Sequence, residues 1–591
     1  MSVADQPEVP SLNSPAWTLM PQFPERAAAL ARELQIQPLF GRILASRGFS
    51  STAEALPYLH PTLSRIEDPF AMRDMDKAVE RIARAIAQNE RIAIFGDYDV
   101  DGLTSTSLLL RMFDFLGVKA DHHIPHRLLE GYGMNIAALE AMHQRGVRLL
   151  ITVDNGVSSL EEIEFANSLG MDVIVTDHHM PGERLPAAVA VVDPNRADCT
   201  YPCPHLAGVG VAFKLAYALL IHLKKPAEQY KPFIRECLDL VGLGTISDIV
   251  PLTGENRILA HYGLKEARQS QKAGLRALRE VLGLEGESLS PRAIGFIIGP
   301  RLNAAGRTGY ADIALDLLMT EDMEHARKIV GILSQLNDER RAIEQDILEQ
   351  AIERVETNPA LRSDPVLVIE GINWHHGVIG IVASRLLGQY CRPTIVLAVE
   401  GEHVKGSARS IAGFDIIDAI GACQQHLLGF GGHSLAAGLQ MRTDNIDNFR
   451  HAINRYAADY FEKTPPRHCL NIDTLATVEE ITCECCETLL QMEPHGAENP
   501  KPVVAVHNVM IAEPPRMVGR SSEHLRLTVG ANGQTLNAIG FHLTESNRWI
   551  FHHHGPIDIA GTPCINEHNG RRMVQIELRD VRPSQIMDSA D

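Results

Sequence analysis

The chain has 591 residues, of which 45% are hydrophobic, so it is long enough for about three or four domains with cores of their own. Its formal net charge of −19 argues against a general nucleic-acid coat protein, although a local basic channel is compatible with that charge. We find neither a membrane-spanning apolar run nor a secretory signal, and ten cysteines are too few for a disulfide scaffold, which favours a reduced, cytoplasmic protein without membrane contact.

The first half of the chain alternates between apolar strands and amphipathic helices. Residues 1–70 form a proline-bearing lead-in, which we expect to pack on the domain that follows. That domain spans 71–320, with strands at 148–156 and 171–179 among others. Alternation of this kind predicts an α/β fold, a doubly wound parallel sheet with helices on both faces. Ligands of such sheets bind at the carboxyl ends of the strands.

The second half has three parts. Residues 321–360 show an amphipathic pattern long enough to predict a helix that connects two domains. A second α/β pattern follows over 361–463. From 467 to 591, short β-like runs are separated by turn residues, which is typical of a small antiparallel barrel such as the OB-fold.

Carboxylates and a histidine follow several of the predicted strands. The segment "IAIFGDYDVDG" ends an apolar run with three acidic residues at alternate positions, and further acidic and imidazole groups follow later strands. The candidate metal ligands are Asp97, Asp99, Asp101, Asp154, His178 and Asp248. Any single aspartate in this set is more often a helix cap or a turn residue. Jointly, at strand ends that a doubly wound sheet would bring together, they predict a metal site, because buried like charges need compensating cations.

The ligand chemistry narrows the choice of metal. An Asp-rich, His-poor set favours Mn²⁺ or Mg²⁺ over a structural zinc site. The set exceeds what one catalytic ion with an open coordination position needs. Two ions bridged by one carboxylate would use all of it.

Four motifs, "DYDVDG", "VDNG", "TDHH" and "SDIVP", resemble those of the DHH phosphoesterase superfamily. Two later motifs, "KGSARS" and "GFGGHSLAAG", resemble its accessory DHHA1 domain. Length, motif order and the β-rich tail are most similar to the branch of single-strand-specific 5′→3′ DNA exonucleases. That resemblance implies a monomeric enzyme of DNA repair and recombination, acting on single-stranded DNA with a single-strand-binding protein and a helicase as partners.

The resemblance also implies roles for the ligands. Asp99 and Asp101 would each bind one metal, Asp154 would bridge the two ions, and His178 and Asp248 would complete the second site.

The shell of the first metal is less defined. Asp97 would join it, because many superfamily members have a histidine where this chain has Phe95. His179 would contact the scissile phosphate, and Asp177 has two roles open to it, as a ligand or as an orienter of His178.

The remaining candidates are cations and polar groups. In "GPRLNAAGR", the resemblance implies that Arg301, with Asn303 nearby, acts at the scissile phosphate; the alternative is a polar loop with solvated arginines. Arginine suits bidentate phosphate contacts. Five residues are expected to bind the DNA strand: Arg127, Tyr132, Ser407, Arg409 and His433. By the resemblance, Arg127, Ser407 and Arg409 would hold its 5′ end.

Three other interpretations stay open. A small-substrate member of the superfamily would cleave short oligonucleotides, cyclic dinucleotides or pyrophosphate, but the length and the extra β domain favour a long channel. A relative that binds nucleic acid without catalysis would have lost its metal ligands, which this chain retains. An α/β metal-binding scaffold would require the whole motif series to be coincidental.

Overall fold

A computed structural model describes residues 15–127, 129–131, 133–464, 469–568 and 571–584. The strands are β1 (Ala16–Leu19), β2 (Arg91–Phe95), β3 (Ala120–His123), β4 (Val147–Val153), β5 (Asp172–Thr176), β6 (Ala190–Val192), β7 (Leu367–Ile372), β8 (Thr394–Glu400), β9 (His403–Arg409), β10 (Gly429–His433), β11 (Ala436–Arg442), β12 (Cys469–Ile472), β13 (Thr474–Leu475), β14 (Val504–Val518), β15 (His524–Ala531), β16 (Gln534–Gly540), β17 (Ile557–His568) and β18 (Arg571–Pro583).

The helices are α1 (Pro24–Leu34), α2 (Pro38–Ser46), α3 (Thr52–Leu59), α4 (Met75–Ala87), α5 (Val100–Phe115), α6 (Ile136–Gln144), α7 (Leu160–Ser168), α8 (Gly208–His222), α9 (Ala227–Ser247), α10 (Gly254–Gln269), α11 (Ala273–Leu282), α12 (Pro291–Ala293), α13 (Gly299–Thr308), α14 (Ala311–Met319), α15 (Met323–Thr357), α16 (Pro359–Ser363), α17 (Ile379–Tyr390), α18 (Ile416–Gly421), α19 (Ile446–Lys463) and α20 (Cys483–Leu489). A π-helical turn, Ile294–Ile298, joins α12 to α13. Within the described ranges, no helix has the length and hydropathy that crossing a membrane requires.

The described residues form two compact units. One contains those from 61 to 342 together with 494–500, and is called the catalytic unit below. The other contains the remaining residues and is called the accessory unit. Helix α15 begins in the catalytic unit and ends in the accessory unit, as expected for the predicted connecting helix.

The catalytic unit is built on a parallel sheet with the strand order β3-β2-β4-β5-β6. Successive side chains of a strand point to opposite faces, and both faces here are buried. Ile92 and Ile94 pack into one core with α4, α5 and α8, whereas Ala93 and Phe95 pack into another with α6 and α7. The doubly wound sheet predicted from the alternating pattern is therefore confirmed.

Strand β2 is the point where the order of the sheet reverses. The chain runs from β2 outward to β3 on one side, and continues with β4, β5 and β6 on the other. In an open α/β sheet, the crevice at such a switch point is where ligands bind. The loops that follow β2, β4 and β5 therefore converge at the edge where the candidate ligands lie.

The accessory unit contains two larger sheets besides the two-stranded sheet of β1 and β12. One has the order β10-β11-β9-β8-β7, with the α17 and α19 helices packed on it as the second α/β domain. In the other, β14 pairs with both β15 and β17, so that β14, β15, β16, β18 and β17 form a closed five-stranded barrel. The expected second α/β domain and the expected C-terminal barrel are both present.

The N-terminal residues pack differently from our expectation. We expected 1–70 to lie on the catalytic domain, but α1, α2 and α3 share one core with the barrel, where Phe40 and Ile43 are fully buried. Strand β1 also pairs with β12. Only the stretch after 60 packs in the catalytic unit, through Leu63 and Ile66. Short apolar helices carry no signal of which distant surface they will cover, so the sequence did not reveal this partner.

Helices α9 and α10 approach closely where two glycines face each other, and this contact generates a stability prediction. A Cβ added to Gly242 would lie 2.6 Å from the Cα of Gly263. We expect Gly242→Ala to lower the free energy of unfolding by about 1–3 kcal/mol, because the two helix backbones would have to separate. Gly331→Ala, in open space on α15, should raise it by about 0.5–1 kcal/mol.

Urea denaturation followed by far-ultraviolet circular dichroism would compare both variants with the wild type. Equal stability of Gly242→Ala and wild type would contradict the close approach of α9 and α10.

Candidate metal centre

Three aspartates lie in the tight connection between β2 and α5. Asp99 caps α5, where its Oδ1 accepts hydrogen bonds from the backbone N–H groups of Asp101 (2.9 Å) and Gly102 (3.2 Å). A Cβ on Gly102 would lie 2.5 Å from the carbonyl oxygen of Asp97, so the connection folds this tightly only because that residue is glycine. Asp97 and Asp101 are 3% and 1% exposed, respectively.

Two further carboxylates sit at or next to residues with positive φ. Asp154 directly follows β4 and has a φ of 61°, in the left-handed region. Asp248 is the C-terminal cap of α9, and the next residue, the β-branched Ile249, has a φ of 65°. Positive φ at a β-branched residue is unfavourable and persists only where the surroundings enforce it. Both outliers occur beside carboxylates that face the same crevice.

The structure brings all six predicted metal ligands together. Nε2 of His178 lies 3.1 Å from Oδ1 of Asp154, 3.6 Å from Oδ2 of Asp248 and 3.8 Å from Oδ2 of Asp101. Among the described residues, ligand atoms lie within 4.8 Å of one another in three groups: Asp97, Asp99 and Asp154; Asp101, His178 and Asp248; and Asp154, His178 and His179. Asp154 and His178 each belong to two of these groups, and the 3.1 Å contact between them links the Asp97 group to the Asp101 group.

The electrostatics of this cluster favour a cation. Burial, and then the neighbouring carboxylates, raise the pKa values of Asp97, Asp101 and Asp154 well above their ordinary range. Burial also raises the pKa of Asp248 and lowers that of His178.

Three buried ligand atoms in the cluster also make no hydrogen bond to the described residues, although two of them, in His178 and Asp154, lie within ion-pair distance of each other. Oδ1 of Asp97, Oδ1 of Asp154 and Nε2 of His178 have no hydrogen-bond partner within the described part of the chain. Orphaned carboxylate and imidazole atoms that converge in this way fit divalent cations with oxygen-rich coordination, which agrees with the predicted Mn²⁺ or Mg²⁺.

Backbone amides at the start of α8 hold one carboxylate in place. Oδ2 and Oδ1 of Asp101 accept hydrogen bonds from the N–H groups of Gly208 (2.6 Å) and Val209 (2.7 Å). A Cβ on Gly208 would lie 2.9 Å from Oδ1 of Asp154, so only glycine lets the helix approach. Our sequence analysis missed these donors, since any residue carries a backbone amide and the sequence does not mark which ones will be used.

His179 lies near two candidate metal ligands, Asp154 and His178, and its ring is also hydrogen-bonded to the carboxylate of Asp177. Its Nδ1 lies 2.7 Å from Oδ1 of Asp177, whose two oxygens also accept from the backbone N–H groups of His178 (2.8 Å) and Val157 (2.9 Å). Although burial opposes it, this hydrogen bond and the negative charge of Asp177 raise the pKa of His179 to about 9. Asp177 therefore orients His179 and the His178 backbone, rather than the His178 ring.

The candidate cations divide into two sets. The Arg127 guanidinium lies over the Tyr98 ring, 4.9 Å from its centroid, beside the acidic residues. Burial, and then the positive charges of Arg127 and Arg340, lower the pKa of Arg307 to about 10, and Asp99 lies within its electrostatic reach.

Arg301 has other partners. It donates to the carbonyl oxygen of Ile297 (2.7 Å) and to Oγ of Ser334 (3.2 Å). Its neighbour Asn303 accepts, through Oδ1, a hydrogen bond from the N–H of Val100 (3.0 Å). The role expected of Arg301 stays a prediction, and Arg307, on the same helix, is the arginine whose pKa responds to Arg127 and Asp99.

The remaining candidates belong to the accessory unit, apart from Tyr132, which lies outside the described residues. Ser407 and Arg409 are on β9, where Nη1 of Arg409 donates to Oγ of Ser407 (3.2 Å). A Cβ on Gly380, at the start of α17, would lie 2.9 Å from that Oγ. His433 ends the exposed strand β10.

Comparison with known proteins now adds to this geometry. Residues 91–245 match the N-terminal domain of the DHH family, residues 363–459 match the DHHA1 domain, and residues 472–580 match the RecJ OB domain. The sequence is 38% identical to the single-stranded-DNA-specific exonuclease RecJ of Bacillus subtilis (strain 168), over 96% of this chain and 71% of that protein. This chain belongs to the RecJ family. RecJ of Escherichia coli (strain K12) is 35% identical over 93% of this chain and 96% of its own length.

Solved RecJ structures agree with the fold. The crystal structure of RecJ from Thermus thermophilus in complex with Mn²⁺ covers 96% of this chain and 80% of its own, with a TM-score of 0.82 and 28% identity. A second RecJ structure, bound to manganese, covers 67% of this chain and 96% of its own, with a TM-score of 0.57 and 35% identity. The resemblance to the DHH superfamily, to its DHHA1 domain and to its exonuclease branch is thus confirmed.

Because the carboxylates repel one another, we expect loss of one of them to stabilise the metal-free protein and to weaken metal binding. We expect Asp154→Asn to raise the midpoint of thermal unfolding in EDTA, because it removes one of several buried like charges. The same variant should bind Mn²⁺ at least about 10-fold more weakly, since even residues that only support a metal ligand contribute that much.

Thermal unfolding with and without Mn²⁺ measures both effects. Asp114→Asn, at an exposed position on α5, is the matched control and should change neither. A variant that loses stability in EDTA would contradict the view that the carboxylates repel one another.

Proposed function

We propose that this chain is a single-stranded-DNA-specific exonuclease that hydrolyses phosphodiester bonds with the help of two divalent metal ions, Mn²⁺ or Mg²⁺. The observation that carries the proposal is the set of three overlapping groups of acidic and histidine residues, within each of which the ligand atoms lie within 4.8 Å of one another. It is supported by membership of the RecJ family, in which the relatives are named single-stranded-DNA-specific exonucleases and the solved structures contain Mn²⁺ or Mg²⁺.

In this proposal, Asp97 and Asp99 hold the first ion, and Asp101, His178 and Asp248 hold the second. Asp154 would serve both ions, because it is grouped with Asp97 and Asp99 and also lies 3.1 Å from His178. The chemistry that divalent ions supply at such a site is the activation of water and the stabilisation of charge on the phosphoryl oxygens.

His179 contributes a proton donor next to the metals. In the metal-free protein, although burial opposes the shift, Asp177 raises its pKa to about 9, and the imidazole can donate a hydrogen bond to an oxygen of the scissile phosphate. Asp177 fixes the ring through Nδ1, which leaves Nε2 as the atom that would face the phosphate.

The reaction balances as a hydrolysis. The oxygen of water forms a bond to phosphorus, the bond from phosphorus to the 3′ oxygen of the terminal nucleotide breaks, and a proton passes to that 3′ oxygen. The products are a 5′-mononucleotide and a strand shortened by one residue, which again carries a 5′ phosphate.

Digestion from the 5′ end is part of the proposal and rests on the family resemblance. Arg127, Ser407 and Arg409 would hold the 5′ phosphate, since guanidinium and hydroxyl groups suit phosphate oxygens. Tyr132 and His433 would contact the strand. The barrel would bind the DNA mainly through its backbone, because aromatic residues make up only 5% of the chain.

We propose that Arg307, rather than Arg301, contacts the scissile phosphate. The charges of Arg127 and Asp99 act on Arg307, so it shares the surroundings of the predicted ligands, whereas Arg301 donates to Ile297 and Ser334.

The cellular setting is also proposed from the family. We expect a monomer in the cytoplasm that acts in DNA repair and recombination, beside a single-strand-binding protein and a helicase. Size-exclusion chromatography with light scattering would test the monomer, and a measured dimer would overturn it.

Digestion of end-labelled DNA tests the activity. With Mn²⁺, a long 5′-phosphorylated single strand should release mononucleotides from its 5′ end, whereas the matching duplex should resist. Asp154→Asn should lose this activity, while the Asp114→Asn control should retain it.

Other substrates in the same experiment separate the alternatives. Cleavage confined to a dinucleotide, a cyclic dinucleotide or pyrophosphate would reassign the chain to a small-substrate enzyme. Binding of the strand with no metal-dependent cleavage would indicate a non-catalytic relative.

The two arginines of α13 should respond differently to substitution. Arg307→Gln should lower kcat by about 10²-fold or more, because it removes a charged donor from the phosphate. Arg301→Gln should chiefly lower the midpoint of thermal unfolding, since its partners are protein groups.

Steady-state kinetics and thermal unfolding of both variants give the comparison. A larger loss of kcat in Arg301→Gln than in Arg307→Gln would restore the role that the sequence motif assigned to Arg301.

A further inference from the structure

Helix α13 packs directly against the acidic connection, residues 96–101, that carries three of the proposed ligands. Two of its residues, Asn303 and Gly306, face that connection, and both are on one side of the helix because they are three positions apart. The resemblance to known motifs implied a role for Asn303 at the phosphate. In the structure, its Oδ1 accepts a hydrogen bond from a backbone group of the protein.

Asn303 completes the hydrogen bonding at the start of α5. The first N–H groups of a helix have no partner within it. The Asp99 carboxylate accepts two of them, those of Asp101 and Gly102, whereas its carbonyl accepts the first regular helical bond, from Leu103 (2.8 Å). The N–H of Val100 remains, and Oδ1 of Asn303 accepts it at 3.0 Å.

This division of donors matters for the Asp99 carboxylate. If Val100 lacked the amide oxygen of Asn303, its N–H would be left unsatisfied or would turn to a carboxylate or to water. A carboxylate drawn toward Val100 would point differently from one that accepts only from Asp101 and Gly102. Asn303 is also neutral, so it satisfies Val100 without adding charge to a cluster of like charges.

Gly306 sets the distance between the helix and the acidic connection. A Cβ built on Gly306 would overlap the carbonyl oxygen of Tyr98 and would lie 3.2 Å from the Cβ of Tyr98. Gly306 is buried and mid-helical, where glycine is otherwise unfavourable. The backbone of Tyr98, between Asp97 and Asp99, therefore packs on α13 through a contact that only glycine allows.

Helix α13 is itself anchored, so that it can act as a fixed support. Leu302 and Ala305 are fully buried in the core of the catalytic unit. Arg301 ties the helix to the preceding π-helical turn, through the carbonyl oxygen of Ile297, and to α15, through Ser334. A π-helical turn inside a helical run is frequent at functional sites.

We propose that Asn303 and Gly306 are positioning residues that hold Asp97, Asp99 and Asp101 in the arrangement that receives the metal ions. The inference rests on the proposed function, because it takes these aspartates as the metal ligands. The physical reason is that buried carboxylates repel one another, so the backbone that carries them has to be held from outside the cluster. Asn303 holds it by a hydrogen bond, and Gly306 by close packing.

Mn²⁺ binding to the intact protein without DNA tests this role directly. Asn303→Leu keeps the size of the side chain but removes the acceptor, and should weaken Mn²⁺ binding by about 10- to 100-fold, as is typical when a residue that supports a metal ligand is lost. Asn303→Asp keeps an acceptor oxygen for Val100 and should bind Mn²⁺ no more weakly than the wild type.

The glycine has its own matched pair. Gly306→Ala should weaken Mn²⁺ binding, because its Cβ would push the Tyr98 backbone and the aspartates beside it. Gly295→Ala, in the neighbouring π-helical turn, has no atom within 4 Å of the added Cβ and should bind Mn²⁺ as the wild type does. Isothermal titration calorimetry gives the affinities, and thermal unfolding in EDTA shows whether each variant is folded.

The outcomes separate this inference from the proposed function. Wild-type protein that binds no Mn²⁺ would overturn both. Normal Mn²⁺ affinity in Asn303→Leu and Gly306→Ala would overturn the positioning role alone, and a simultaneous fall in kcat would mean that Asn303 touches the substrate. If Asn303→Leu does not fold, the comparison of Gly306→Ala with Gly295→Ala still decides the matter.

Discussion

Repulsion among buried carboxylates is the constraint on which the rest of the catalytic unit depends. The reversal of strand order at β2 brings the ends of β2, β4 and β5 to one crevice, and each end carries acidic groups. Nothing in their packing alone would keep such groups together, since burial penalises each charge and each charge penalises the others. Backbone amides stabilise two of these carboxylates: those at the start of α5 donate to Asp99, and those at the start of α8 donate to Asp101. Both are helix N-termini, where the peptide dipoles also favour negative charge.

The strands and the clustering of the candidate ligands could be predicted from the sequence because both depend on local patterns. An apolar run that ends in aspartate, repeated between helices, already implies parallel strands whose carboxyl ends meet at one edge. Asp97, Asp154 and His178 follow three such runs, and the structure places ligand atoms of Asp154 within 4.8 Å of those of Asp97 and of those of His178. The parallel topology then brings the strand ends to one edge of the sheet, so this prediction did not require knowledge of any particular long-range contact.

Two features could not be predicted from the sequence: which side chains of α13 share a face, and which distant surface the N-terminal helices cover. The motif "GPRLNAAGR" contains a proline and two glycines, which hide a helix, so the side chains that share a face could not be recognised. Once the segment is known to be helical, Asn303, Gly306 and Arg307 fall on one face by their spacing, and Arg301 falls on the opposite one. The packing partner of the N-terminal helices could not be predicted for another reason. An apolar face indicates burial, but not which of several surfaces will cover it.

The acidic character of the chain gains a physical meaning at this site. A phosphate cannot approach a cluster of ionised carboxylates, and carboxylates that instead stay protonated, as their raised pKa values favour, offer it no cation. Divalent cations invert the sign of the local charge, since they are the largest charges at such a site. Substrate binding at the crevice and occupancy by metal are then one coupled equilibrium, in which the arginines beside the cluster supply positive charge but the ions decide its net sign. A net charge of −19 is compatible with a DNA-binding crevice for this reason, because the sign that the substrate meets is set within a few ångströms and not by the chain as a whole.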